Sequence, residues 1–153
     1  MMRDFDKEFD IEALKANMKE MAEQTVEFKE VPAGKYECKI EKIELNETKK
    51  TGMPMCSIQF RIVEGEFNKQ CLFYNKVLIT TDSTGKMNAF GLHINNEFLR
   101  SLDTSYEVVF EDFTQYKELL RNIADDVEPL TYLIEYTISN GFGNFKVKEI
   151  YED

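Results

Sequence analysis

The segment Tyr36-Glu37-Cys38-Lys39-Ile40-Glu41-Lys42-Ile43-Glu44-Leu45 decides how this chain is read. Tyr36, Cys38 and Ile40 alternate with Glu37, Lys39 and Glu41, the period-two pattern of a strand with one buried face. The phase then slips, because Ile43 and Leu45 fall three and five residues after Ile40. Such a slip predicts a β-bulge, which bends a strand and lets a small sheet curl toward a barrel.

Downstream, the polar loop Asn46-Glu47-Thr48-Lys49-Lys50-Thr51-Gly52 leads into the clearest strand of the chain. Cys56, Ile58, Phe60 and Ile62 share one face and must be core, while Ser57, Gln59 and Arg61 share the other. After the turn Glu64-Gly65-Glu66 a third strand spans Cys71 to Ile79, with both faces partly apolar and its orientation open. Past the Thr80 to Gly85 loop the period becomes helical. Phe98, Leu99 and Leu102 fit a helix entered through Asn95 or Asn96. Phe113, Tyr116, Leu119, Leu120 and Ile123 fit another, with Asp112 and Gln115 spaced as a capping box. Tyr106 to Phe110 reads as a short strand between them. Tyr132, Ile134, Tyr136 and Ile138 alternate again, Asn140-Gly141-Phe142-Gly143-Asn144 turns, and Phe145 to Tyr151 returns as a hairpin.

Upstream, Asp10 can cap a helix from Ile11 to Thr25, and Pro32-Ala33-Gly34 separates it from the first strand. The expectation is one domain over 1–153: an acidic helical segment at 1–33, then a mainly β body with α additions at 34–153. Three strands, a helical insertion at about 86–128 and a terminal hairpin follow the order of a five-stranded OB-fold-like barrel. An open α+β sheet covered by the helices is the competing architecture.

Composition narrows the functional classes. With 42% hydrophobic and 31% charged residues the chain has the make-up of a folded domain, not of a disordered one. Its first ten residues are acidic where a signal peptide would be basic and then apolar, and no apolar run reaches the roughly 20 residues that span a bilayer. A cytoplasmic protein without membrane contact is therefore expected. Cys38, Cys56 and Cys71 are widely spaced on strand-like segments, which predicts reduced, buried thiols and no metal site.

Catalytic arrangements are sparse. The single His93 stands between Leu92 and Ile94 without placed partners. Thr80 to Met87 ends in Gly85-Lys86-Met87 but lacks the first glycine and the final Ser/Thr of a phosphate-binding loop. Asp125-Asp126 reads as a solvated helix end. Neither catalytic residues nor a cofactor are expected, and the class is a binding protein, not an enzyme.

The charge distribution gives that class its content. The net charge is -10, yet Gly34 to Thr84 holds eight Lys/Arg against seven Asp/Glu, so the acidity lies elsewhere. A near-neutral meander with cations in its loops favours a local anionic partner, which the acidic remainder repels from other surfaces. Single-stranded nucleic acid is held by cations that track phosphates and by aromatic faces on which bases stack. The candidate DNA-binding residues are Lys49, Lys50, Arg61, Tyr74, Lys76, Phe142, Lys146 and Lys148, expected to line one cleft. The acidic helices Ile11 to Thr25 and Phe113 to Val127 are expected to face away from it.

Four segments carry a resemblance beyond these patterns. They are Val31-Pro32-Ala33-Gly34-Lys35-Tyr36-Glu37, Thr48-Lys49-Lys50-Thr51-Gly52, Phe60-Arg61-Ile62-Val63-Glu64-Gly65-Glu66-Phe67 and His93-Ile94-Asn95-Asn96-Glu97-Phe98-Leu99-Arg100-Ser101-Leu102. In their order and spacing the chain resembles a phage-encoded family of single-stranded-DNA-binding-like proteins, long catalogued as a domain of unknown function. The resemblance implies an OB-like fold and a role beside phage or host replication and recombination proteins, in the cytoplasm of an infected bacterium. The absence of Trp leaves stacking to Tyr and Phe. The rival expectation is a protein-interaction module on the same fold that never touches DNA. Stoichiometry stays open, a homo-oligomer included.

Overall fold

The slip in the first strand is a bulge. In the computed structural model, β1 (Gly34–Glu47) runs antiparallel to β2 (Pro54–Ile62), with Ile40 opposite Phe60 but Lys42 opposite Gln59, so Glu41 is the extra residue. Ile40 and Ile43 thereby both reach the core although they are an odd number of residues apart. Residues 10–18, 31–139 and 141–152 are described, the Phe142 side chain excepted.

The chain divides into two compact units, Met1–Glu30 and Val31–Asp153. In the first, residues 11–18 form helix α1. The Asp10 carboxylate accepts from the Ala13 backbone N–H at 3.2 Å, which caps the helix as expected. Its expected continuation to Thr25 lies outside the described residues.

The second unit is mainly β. After β2 come β3 (Cys71–Val77), a small hairpin of β4 (Thr80–Thr81) and β5 (Met87–Asn88), helices α2 (Phe90–Arg100) and α3 (Phe113–Asp126), and the strands β6 (Leu130–Ser139) and β7 (Phe142–Glu152). One five-stranded antiparallel sheet runs in the order β3-β2-β1-β6-β7, with the β4-β5 hairpin separate. The Thr80 to Gly85 stretch is thus β4 and the turn that follows it, organised by Asp82, whose carboxylate accepts from the backbone N–H groups of Thr84 and Lys86 at 2.9 and 3.0 Å.

The expected closed barrel is corrected in one respect: among the described residues no hydrogen-bonded ladder joins β3 to β7. The two edges approach through side chains instead. The Tyr74 and Phe145 ring centroids are 5.7 Å apart, and Phe98 of α2 stacks on Tyr74 at 4.6 Å. These rings and the helix occupy the seam, where a ladder would need strands roughly 4.8 Å apart.

The inner face of the sheet supplies Cys38, Ile40, Ile43, Ile58, Phe60 and Ile62, and the helices cover it with Leu99, Tyr116, Leu120 and Ile123. A polar chain crosses this core. The Tyr74 hydroxyl donates to Asn95 Oδ1 at 2.9 Å, and Asn95 Nδ2 donates to the Tyr116 hydroxyl at 2.8 Å. That hydroxyl donates in turn to Asn96 Oδ1 at 2.6 Å. Among the described residues no buried side-chain N or O lacks a partner.

Two expected elements differ. Helix α2 begins at Phe90, not at Asn95 or Asn96, so Asn95 is interior and fully buried. Its first N–H groups are satisfied from outside: Phe90 donates to Asn88 Oδ1 at 2.7 Å and Leu92 to the Leu78 carbonyl at 2.9 Å. Tyr106 to Phe110 is not a strand, because it has no neighbouring strand to pair with. It is pinned as a loop by Arg100 Nη2, which donates to the Val108 carbonyl at 2.9 Å, and by Asp126, which accepts from the Ser105 backbone and hydroxyl. Helix α3 starts where the capping box places it, with Gln115 N–H on Asp112 Oδ1 at 2.7 Å.

Candidate nucleic-acid interface

The outer face of β2 and β3 carries the polar residues Ser57, Gln59, Arg61 and Asn75, half-buried Met55, Cys71 and Val77 toward its ends, and Phe73 in its middle. Register pairs Ser57 with Asn75 and Gln59 with Phe73, and Arg61 with Cys71. Because Leu72 and Tyr74 fill the core, Phe73 projects outward and remains 61% exposed. Ser57 Oγ donates to Asn75 Oδ1 at 2.8 Å, so the surface around the ring is held by hydrogen bonds. The lining of a depression of about 290 Å³ beside it includes Lys42, Glu44, Asn46, Met55, Gln59 and Phe73.

Tyr74 is the principal correction among the expected site residues. It is 8% exposed, stacks on Phe98 and donates its hydroxyl to Asn95, so it is core and offers no face to a base. Burial pushes its hydroxyl pKa well above the ordinary tyrosine value. The faces of the third strand are therefore the reverse of those that put Tyr74 in the cleft, and Phe73 takes the exposed position.

Arg61 is also committed. Its Nε and Nη2 grip Glu41 Oε1 and Oε2 at 2.6 and 3.1 Å, and its Nη1 donates to the Lys69 carbonyl at 2.7 Å. Glu41 is held below the usual carboxylate range chiefly by the Arg61 hydrogen bond. The bulge is what delivers this carboxylate, and Gln59 Nε2 donates to it as well at 2.9 Å. Arg61 thus fixes the floor beside Phe73 and is not a free phosphate contact.

The other expected cations fall into separate settings. Lys49 and Lys50 lie exposed in the β1–β2 turn and make no ion pair among the described residues. Lys76 continues the inner phase of Tyr74 and, half-buried, lines a smaller depression with Asn75, Ile94, Phe98, Gly143 and Phe145. This joins the end of β3 to the start of β7. Lys146 and Lys148 project from the side of β7 opposite Phe145 and Val147, where Lys148 Nζ is 3.6 Å from Glu135 Oε2 and Lys146 is in register with Glu135. Phe142 is the first residue of β7, opposite Ser139, and not the tip of a loop. Gly141 has φ +80°, which a side chain would resist.

Sequence reasoning left Phe73 undecided, as the residue that enters the cleft if the faces of the third strand are reversed, and missed Lys42 and Asn46. Apolar residues stand on both phases of the third strand, so only the pairing with β2 identifies the face of Phe73. Among the described residues no group of His, Cys, Asp or Glu could hold a metal ion, and no helix is long and apolar enough to cross a membrane.

The structure thus presents a meander of three antiparallel strands with an exposed aromatic, Phe73, on its outer face. Residues 17–124 match the family described as Protein of unknown function (DUF669), and the chain belongs to that family. None of the curated proteins matches the chain.

Proposed function

We propose that the protein binds single-stranded DNA without sequence specificity, through the outer face of β2 and β3 and the Lys49–Lys50 turn. The observation that carries this reading is Phe73: a phenylalanine 61% exposed in the middle of a strand, among residues that accept and donate hydrogen bonds. A flat apolar ring in a polar setting is a stacking platform for a base of any identity. Lys49 and Lys50, exposed in the β1–β2 turn and unpaired among the described residues, supply cations for phosphate.

The strand order supports an OB-like barrel with an unladdered seam. The order β3-β2-β1-β6-β7 with helices between β3 and β6 is the connectivity of such a barrel, whose second and third strands and first loop are its usual nucleic-acid surface. In this reading the protein acts beside replication or recombination enzymes, with phage DNA in a bacterial cytoplasm as its setting. No catalytic step is assigned to it.

The net charge of -10 favours a second reading, a protein-interaction module that uses Phe73 as an anchor for a partner and leaves DNA alone. Titration of a fluorescent oligonucleotide at two salt concentrations separates the two. Binding that weakens steeply with salt, and less steeply after Lys49→Ala/Lys50→Ala, supports DNA; no binding at low salt sinks it.

A further inference from the structure

Helix α3 belongs to the acidic part of the chain, yet it turns two cations toward the sheet. Lys117 and Arg121, one helical turn apart, line a depression of about 550 Å³ between α3 and β1 together with Lys42, Glu44, Asn46 and Asp125. Both are exposed, and neither has an acidic partner among the described residues. The acids around them are mostly engaged elsewhere. Glu44 holds Lys42 at 3.1 Å, and Glu41, also at the rim, holds Arg61 and Gln59. Asp125 and, in the adjoining depression, Glu47 remain as opposing charges.

The groove is continuous with the interface described above. Asn46 lines the Phe73 depression, the α3–β1 depression and the one at the base of the Lys49–Lys50 turn. Lys117 lines the last two, beside Gly52 and Pro54. A strand lying on Phe73 therefore meets Asn46, passes over the end of β1 and arrives between Lys117 and Arg121. Residues four apart on a helix are displaced by roughly 6 Å along its axis, a spacing suited to successive phosphates of an extended strand.

We propose that the DNA path leaves the β2–β3 face over Asn46 and enters the α3–β1 groove, where Lys117 and Arg121 bind its phosphates. This rests on the single-stranded-DNA reading and departs from the expectation that α3 faces away from nucleic acid. The helix contributes phosphate contacts without carrying the aromatic platform.

The test compares the full chain with Lys117→Ala/Arg121→Ala in binding a fluorescent oligothymidylate over a range of salt. Loss of two phosphate contacts should flatten the slope of log affinity against log salt by about 1.4 and weaken binding at 0.1 M salt about tenfold. Lys86→Ala, on the β4–β5 hairpin, controls for loss of positive charge as such and should leave the slope within a few tenths. If the wild type binds, the Lys49/Lys50 variant weakens it and the Lys117/Arg121 variant does not, the groove is excluded while the DNA reading stands. If the wild type fails to bind at low salt, both fall. A photoreactive thymidine strand gives a readout that needs no variant: crosslinks on the peptide holding Phe113–Asp126 support the path, and crosslinks confined to β2, β3 and the Lys49–Lys50 turn overturn it.

Discussion

The hydroxyl of Tyr74 on β3 donates to the side-chain oxygen of Asn95 on α2 at 2.9 Å, in a core where Asn95 is fully buried. Asn95 passes the connection to Tyr116, so sheet and both helices share one polar chain. Tyr74→Phe keeps the ring but strands an acceptor, and should cost about 1–3 kcal/mol in urea denaturation. Tyr74→Ala removes the ring that stacks on Phe98 as well and should cost about 3–5 kcal/mol. On the single-stranded-DNA reading proposed above, the folded fraction of Tyr74→Phe should keep the wild-type affinity, since the side chain is buried away from the β2–β3 surface.

Phe73 should show the opposite pattern. Being exposed, its replacement by Ala should leave the thermal midpoint nearly unchanged. If the ring stacks on one base, affinity for single strands should drop by about 1–3 kcal/mol with no change in salt slope, because no phosphate contact is lost. Fluorescence anisotropy at fixed salt measures the first quantity and a salt series the second.

Gly91 lies against the end of β3: a Cβ there would sit 2.0 Å from the Val77 carbonyl oxygen. The backbone cannot yield locally, because the next residue, Leu92, donates to the Leu78 carbonyl at 2.9 Å. Gly91→Ala should therefore destabilise by roughly 1–3 kcal/mol or more, an overpacking cost read from the denaturation midpoint. The control Gly85→Ala tests backbone strain alone, since its Cβ would meet nothing within 4 Å and its φ is +84°.

Burial holds the thiols of Cys38 and Cys56 up at about 12, whereas half-buried Cys71 lies at the sheet edge with Gln59 on its sulfur. At pH 8 a thiol reagent should titrate Cys71 first and reach the other two only on unfolding. The two raised values also make stability depend on alkali. The protonated thiols favour the folded state fully below the unfolded value near 8.5, and that advantage is lost as pH rises toward 12. The denaturation midpoint should fall over this window, and fall less in Cys38→Ala/Cys56→Ala.

How far these features were legible in the chain depends on what fixed each one. The bulge after Ile40 and the faces of β2 are written in residue phase and needed no partner to interpret. Cys71, Phe73 and Val77 on one phase compete with Leu72, Tyr74 and Leu78 on the other, so pattern alone leaves β3 undecided until Gln59 is set opposite Phe73. The start of α2 was hidden because one of its first N–H groups, that of Leu92, is satisfied by the Leu78 carbonyl just past β3, more than ten residues earlier. Arg61 looked free because Glu41, its partner, comes from the adjacent strand at the bulge. Lys117 and Arg121 were masked by the acidic average of their helix.

The seam between β3 and β7 bears on how the molecule keeps company with its own kind. An edge strand offers unpaired backbone groups to any passing chain and is a starting point for aggregation. Here the two edges of the sheet approach one another at Tyr74 and Phe145, where rings stand in place of a ladder. Each edge is thus the other's guard, and removing the Phe145 ring would expose both to edge-to-edge association.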